Sequence, residues 1–295
     1  MNGILILDKP AGITSFGAVR AVRRVFGNEK AGHTGTLDPM ATGVLPILLG
    51  RATKLGDLLP VSDKAYAATA KLGEQTDTAD AEGSVIAASD VRPTEAQLGK
   101  ALASFVGESM QLPPMYSAIK QQGKALYELA REGKTVERKA RPITIYNTAL
   151  TAFDGKHFSF TAACSAGTYI RTLAEDVAAK CGALCHLTAL RRTEGCGFTL
   201  QQAVTLEQLQ KAAEEGTAEQ YLVSPEVPFL HLPAVELFDD NLWRLFLNGF
   251  AFAASRCCKE QPGSLLRIYR GGSFAALGRI NEKAELVKLW QAYTD

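Results

Sequence analysis

Apolar positions along the 295-residue chain change their spacing several times, and each change marks an element. Gly3–Leu7 is a continuous apolar run and predicts a buried strand. Ser15 then caps a helix with Phe16, Val19, Val22 and Phe26 on one side and Gly27 as its stop. Gly32–Gly43 has the composition of a long ordered loop leading into apolar Val44–Leu49, and Tyr66–Leu72 alternates as a strand. Thr94-Glu-Ala-Gln97 has the form of a capping box, followed by Leu98, Ala101, Leu102 and Phe105 at helical spacing. The prolines of Leu112-Pro-Pro-Met-Tyr116 forbid a helix there, and a short helix near Leu126–Arg131 stops at Gly133. Ile143–Phe153 and His157–Ala163 are strands joined through the hairpin turn Asp154-Gly155. A helix over Arg171–Lys180, a strand over Leu184–Arg191 and an acidic amphipathic helix over Thr205–Glu219 follow, the last capped by Thr205 and Gln208.

Beyond Pro225, Pro228 and Pro233 the character changes. A short helix near Asp240–Leu247 precedes the strands Leu265–Arg270, Ser273–Ile280 and Leu286–Trp290, the first two joined by Gly271-Gly272. The reading is an α+β chain, with mixed helices and hairpins over residues 1–232 and a small β-rich unit over 233–295.

Composition narrows the class. With 46% hydrophobic and 21% charged residues, the chain is neither disordered nor fibrous. Its apolar runs are too short to span a membrane, and the first one is broken by Asp8 and Lys9, unlike a signal peptide, so a cytoplasmic protein is expected. Six cysteines are then expected to be reduced. Cys181, Cys185, His186 and Cys196 lack a second close ligand pair, so no metal is expected. Net charge is only +1, but residues 1–60, 111–150 and 241–295 carry +3, +4 and +4, against −4 for 61–110 and −7 for 201–240. Converging basic segments would make a phosphate-binding face, and mixed solvated surfaces fit the same counts.

Few residues stand out as chemistry. Asp38 in Gly32-His-Thr-Gly-Thr-Leu-Asp-Pro39 sits in a loop of tight turns, presented as a nucleophile or general base, or else capping a turn. An attacking carboxylate needs a cation nearby to stay ionised, and Arg171, where a strand gives way to a helix, is one candidate. Tyr66 and Tyr169 are either core residues or platforms for a base, and His33 either contacts nucleic acid or bonds within its own loop.

Taken together the segments resemble the TruB family of tRNA pseudouridine synthases. The matching stretches are Leu7–Ser15, Gly32–Pro46, Lys64-Ala-Tyr66, Leu72–Asp80, Pro113–Lys120, Gly123–Tyr127, Gly167–Leu173 and Leu190-Arg-Arg192, in order across about 185 residues. The resemblance implies a pseudouridine-synthase core with a mixed, largely antiparallel central sheet, a basic insertion near 111–150 that contacts tRNA, and a PUA-like RNA-binding domain over 233–295. It implies cofactor-free isomerisation of uridine 55 in the T-loop of tRNA, by a stand-alone enzyme needing no metal, membrane or guide RNA, as a monomer. A secondary role in tRNA folding is implied as well. By resemblance Asp38 is the catalytic aspartate, kept charged by Arg171, and Tyr66 stacks on the flipped base. His33 serves T-loop binding and flipping, and Tyr169 and Leu190 line the uridine pocket. A guide-dependent pseudouridylase and a non-catalytic RNA-folding module are the competing readings. Ala166 stands where bacterial relatives often carry a lysine, so one phosphate contact of the family is expected to be missing.

Overall fold

In the computed structural model, residues 1–60, 62–121, 123–134 and 136–292 are described. Residues 122 and 135 of the basic segment, and 293–295 at the end of the C-terminal unit, lie outside them. One large sheet organises the first part of the chain. Its strands run in the order Leu222–Val223, Gly3–Lys9, Thr42–Leu49, Cys185–Gly195, Lys64–Leu72, His157–Cys164, Arg141–Phe153 and Gly107–Gln111. Ala31–His33 and Phe198–Thr199 pair alongside it. All of these neighbours are antiparallel except Cys185–Gly195 against Thr42–Leu49, which meet in parallel through Arg191–Thr42 and Arg192–Gly43.

The unbroken apolar run at the start of the chain has a direct cause: its strand is covered on both faces. Leu5 and Leu7 join a core with Val19 and Val22 of the Ser15–Val25 helix, Leu173 and Val177 of the Ile170–Lys180 helix, and Leu209 of the Leu206–Glu214 helix. Ile4 and Ile6, on the opposite face, pack with Leu55 and Phe229. Lys64–Leu72 alternates as its spacing predicts, with Tyr66, Ala68, Ala70 and Leu72 buried.

A second sheet follows in the order Ala234–Glu236, Leu265–Arg270, Ser273–Ile280, Glu285–Gln291 and Phe252–Ala253. With the Asp240–Leu247 helix it encloses a core of its own, including Leu242, Phe246, Ile268 and Leu286. Leu277 and Trp290 turn away from that core and join Ile4, Leu48 and Phe229 beneath the first sheet. Trp290 Nε1 donates to the Arg51 carbonyl at 2.8 Å, and Arg51 Nε donates to the Gln291 carbonyl at 2.9 Å.

Several boundaries differ from the sequence reading. Thr14, not Ser15, caps the first helix: its hydroxyl accepts the Gly17 N–H, whereas Ser15 is buried and its hydroxyl bonds the Leu37 backbone. Phe16 does not join the core; it is 60% exposed beneath the Arg20 guanidinium. Gly32 and His33 belong to a short strand rather than a loop. The strand read as ending at Arg191 continues to Gly195 through two bulges, and the helix read to Glu219 ends at Glu214 ahead of Gly216. Among the described residues no helix is long and apolar enough to cross a membrane, and no three His, Cys, Asp or Glu converge on a metal position.

Candidate active site

Asp38 lies in the loop between Ala31–His33 and Thr42–Leu49, and buried polar side chains hold that loop in place. Lys9, fully buried in its strand, donates from Nζ to the carbonyls of Pro10 (2.8 Å), Ile13 (2.7 Å) and Pro39 (3.1 Å). Burial lowers its pKa to about 8, against the pull of Asp38 and Glu82. Ser15 Oγ accepts from the Leu37 N–H at 2.8 Å and donates to the Leu37 carbonyl at 3.0 Å. Arg192, also fully buried, donates from Nε to the Val44 carbonyl and from Nη2 to the Gly35 carbonyl. Gly43 completes the fastening: at φ +102° any Cβ would stand 2.1 Å from the Arg192 carbonyl oxygen, so only glycine fits.

Arg171 reaches this loop from the start of the Ile170–Lys180 helix. Its Nε is 2.9 Å from Asp38 Oδ2 and its Nη2 donates to Oδ1 at 3.2 Å, a two-point grip that a planar guanidinium makes well. The remaining donors go to the carbonyls of Thr78 and Tyr116, each at 2.7 Å, and Asp80 Oδ2 is 3.7 Å from Nη1. The guanidinium is 3% exposed, whereas the Asp38 side chain keeps 33% of its surface and faces open space. Burial pushes the Asp38 carboxyl above its ordinary value, and Asp80 adds to the push; Arg171, with its hydrogen bond, works the other way. The guanidinium thus limits the rise and favours the charged form, the part the sequence reading expected of it.

Two adjoining cavities meet at this pair. One, of about 310 Å³, is lined by Asp38, Arg171, Tyr66, Tyr169 and Leu190 with Lys64. The other, of about 570 Å³, is lined by Asp38 and Arg171 again, with His33, Phe16, Tyr116 and Tyr127. Five of the six candidate residues therefore share one chamber, and His33 stands in the next. Burial pushes the Tyr66 hydroxyl up to about 12, with the facing Arg192 opposing, so it is a neutral donor at ordinary pH. Burial, reinforced by Arg192, lowers the His33 pKa, and its buried Nδ1 has no partner among the described residues. Tyr169 is fixed through its backbone: Gln111 accepts its N–H at 2.8 Å and donates to its carbonyl at 3.1 Å.

The sequence reading assigned no part in the site to Lys9, Asp80, Gln111 or Arg192, and gave Ser15 only a helix cap. Lys9 and Asp80 lie inside segments that carry the family resemblance, and a lysine inside an apolar strand is itself a signal. Nothing local distinguishes Gln111.

The arrangement suits a reaction at a carbon of a bound base or sugar. A carboxylate stands at the junction of two chambers, an arginine orients it, and an aromatic ring closes one wall. Residues 23–170 match the family model described as TruB family pseudouridylate synthase (N terminal domain), and residues 171–225 match that of the tRNA pseudouridylate synthase B C-terminal domain. The chain is 46% identical over 287 residues to tRNA pseudouridine synthase B of Aromatoleum aromaticum, covering 97% of this chain and 91% of that protein. It is 49% identical to the protein of that name from an Azoarcus species, covering 94% and 91%. Among solved structures, a chain from a Cbf5–Nop10–Gar1 complex superposes with a TM-score of 0.72 at 26% identity, covering 99% of this chain and 84% of that one.

Proposed function

Because the chain belongs to the TruB family of pseudouridylate synthases, we propose that it isomerises uridine 55 in the T-loop of tRNA to pseudouridine. The observation that carries the reading onto this chain is the Asp38–Arg171 pair, gripped at 2.9 and 3.2 Å on the wall of a chamber that also holds Tyr66. Cleaving a glycosidic bond and rejoining the base through carbon moves no electrons to an external acceptor, so the reaction calls for no cofactor. A uridine inside a folded loop must leave its stack to be reached, at a cost of a few kcal/mol. Stacking on Tyr66 and contact with Leu190 and Tyr169 offset that cost, and His33 supports the extruded geometry from the neighbouring chamber. Asp38 acts as its carboxylate on the sugar or base, and Arg171 orients it. The five-stranded C-terminal sheet serves as a PUA-like RNA-binding domain over 233–295, and the basic segment 111–150 grips the T-stem-loop. The enzyme works alone in the cytoplasm as a monomer, without metal or guide RNA, and assists tRNA folding.

Tritium release from uridine-labelled T-stem-loop RNA, with the pure protein and no guide, tests the reading. Release matching modification of one T-loop uridine is the expected result. Tight binding without release would favour a guide-dependent enzyme or a binding module.

A further inference from the structure

Lys64 is a cation on the wall of the smaller chamber that the functional reading leaves without a task. It is half-buried, and among the described residues its ammonium has neither a hydrogen-bond nor a salt-bridge partner. Lys64 and Arg192 flank Gly35 from the same side: a Cβ there would stand 3.1 Å from Lys64 Cε and 3.3 Å from Arg192 Nη1. Arg192 already spends Nε and Nη2 on the carbonyls of Val44 and Gly35. Asp63, the nearby carboxylate, is exposed and accepts the Tyr146 hydroxyl at 3.1 Å. Burial, then Arg192, lower the pKa of the Lys64 amine, with Cys196, Cys164 and Asp63 opposing, as expected for a charge held partly away from water without a bonded counter-ion. Such a spot is stabilised by an incoming anion.

The strand fixes where that anion sits. Lys64 and Tyr66 are two residues apart in Lys64–Leu72 and face the same side, about 7 Å from each other along the strand. Tyr66 is the deeper of the two, and Lys64 follows the exposed Ser62 and Asp63 at the mouth. A nucleotide whose base stacks on Tyr66 carries its phosphate outward, toward Lys64. The facing loop supplies no competing cation: residue 166 is alanine, Ser165 Oγ accepts the Thr144 N–H, and Thr168 Oγ1 donates to the Ser165 carbonyl.

We propose that Lys64 is a substrate-positioning residue that binds a phosphodiester flanking the target uridine and so sets how deeply the base enters the chamber. The proposal rests on the pseudouridine-synthase reading of that chamber. The test measures binding of T-stem-loop RNA against salt in the full-length Asp38→Asn protein, with Lys64 intact, Lys64→Arg or Lys64→Gln. The slope of log Kd against log salt is expected to flatten by about 0.7 in Lys64→Gln, the share of one contact to single-stranded RNA, and to return in Lys64→Arg. A methylphosphonate placed on the 5′ or the 3′ side of the target is expected to weaken binding about tenfold at one of the two positions when Lys64 is present, as for loss of one charge-assisted hydrogen bond. That penalty should vanish in Lys64→Gln. An unchanged slope, or an equal methylphosphonate penalty in both proteins, overturns the proposal. Failure of the parent reading shows separately, as wild-type protein that releases no tritium. A flattened slope beside that failure would keep Lys64 as a phosphate contact and overturn only the assigned reaction.

Discussion

Replacing Arg171 by alanine removes a guanidinium that is 3% exposed and holds four groups at once. Asp38 loses contacts of 2.9 and 3.2 Å, Thr78 and Tyr116 lose donors at 2.7 Å, and Asp80 loses a cation at 3.7 Å. Breaking one side of a buried pair costs about 3–5 kcal/mol. The Asp38 side chain keeps a third of its surface, and the chamber beside it admits water, so the lower end, about 3 kcal/mol, is expected. That loss leaves a domain of ordinary stability folded at 25 °C. Urea unfolding at pH 7 and pH 5 measures it, and the sign follows from Asp38. Its folded pKa already exceeds the unfolded one, so the folded state binds this proton more tightly, and stability from this group declines as pH rises through the folded value. Without Arg171 that value rises further. The deficit should therefore be larger at pH 7 than at pH 5, because proton uptake by the carboxyl lessens its need for a counter-charge. Single-turnover rate at pH 7 should fall at least ~10²-fold through misplacement of the carboxylate, with the acid limb of the pH profile displaced upward. A stability loss under about 1 kcal/mol, a deficit equal at both pH values, or a near-normal rate would refute the reasoning.

Asp38→Asn keeps shape and one acceptor for Arg171 but loses the carboxylate, so turnover should vanish while tRNA affinity stays within a few-fold; measurable turnover in that variant would remove Asp38 from its role. Tyr66→Phe should keep most of its RNA affinity because the ring survives, and Tyr66→Leu should lose about 1–3 kcal/mol of stacking, compared by equilibrium binding. Equal affinities for Phe and Leu would mean that no base lies on that ring. Trp290→Ala empties the joint between the two sheets and should cost about 3–5 kcal/mol in urea unfolding, a loss that a loosely apposed C-terminal unit would not show.

Local chemistry was legible in the sequence and long-range support was not. Thr94 and Gln97 cap their helix as read, and Asp154-Gly155 turns its hairpin, since each signal is complete within four residues. The run Arg191-Arg192-Thr-Glu194 reads as the end of a strand because its polarity breaks the apolar pattern. In the fold the strand continues, bulged after Arg192, whose charge is tolerated in the core through its bonds to Val44 and Gly35. Phe16 has the right spacing for the core, yet it lies exposed and lines the larger chamber. At the site, Asp38 and Arg171 are 133 residues apart; the residues alone made Arg171 one candidate cation for Asp38, and resemblance to a family paired the two before the fold did. Gln111 and Arg192 belong to residue types usually met at the surface, so their support is invisible until a partner backbone appears beside them.

The buried cations of this site divide into two kinds by what they bond. Lys9 and Arg192 give the donors described above to carbonyls: those of Pro39, Gly35 and Val44 belong to the Asp38 loop and the strand it leads into, and those of Pro10 and Ile13 to the turn before the first helix, which Lys9 ties to that loop. Arg171 alone among the three grips the Asp38 carboxylate in a hydrogen-bonded pair. Position and charge are thereby set by different side chains. A substitution at Lys9 or Arg192 disturbs where Asp38 stands, and one at Arg171 disturbs its proton as well.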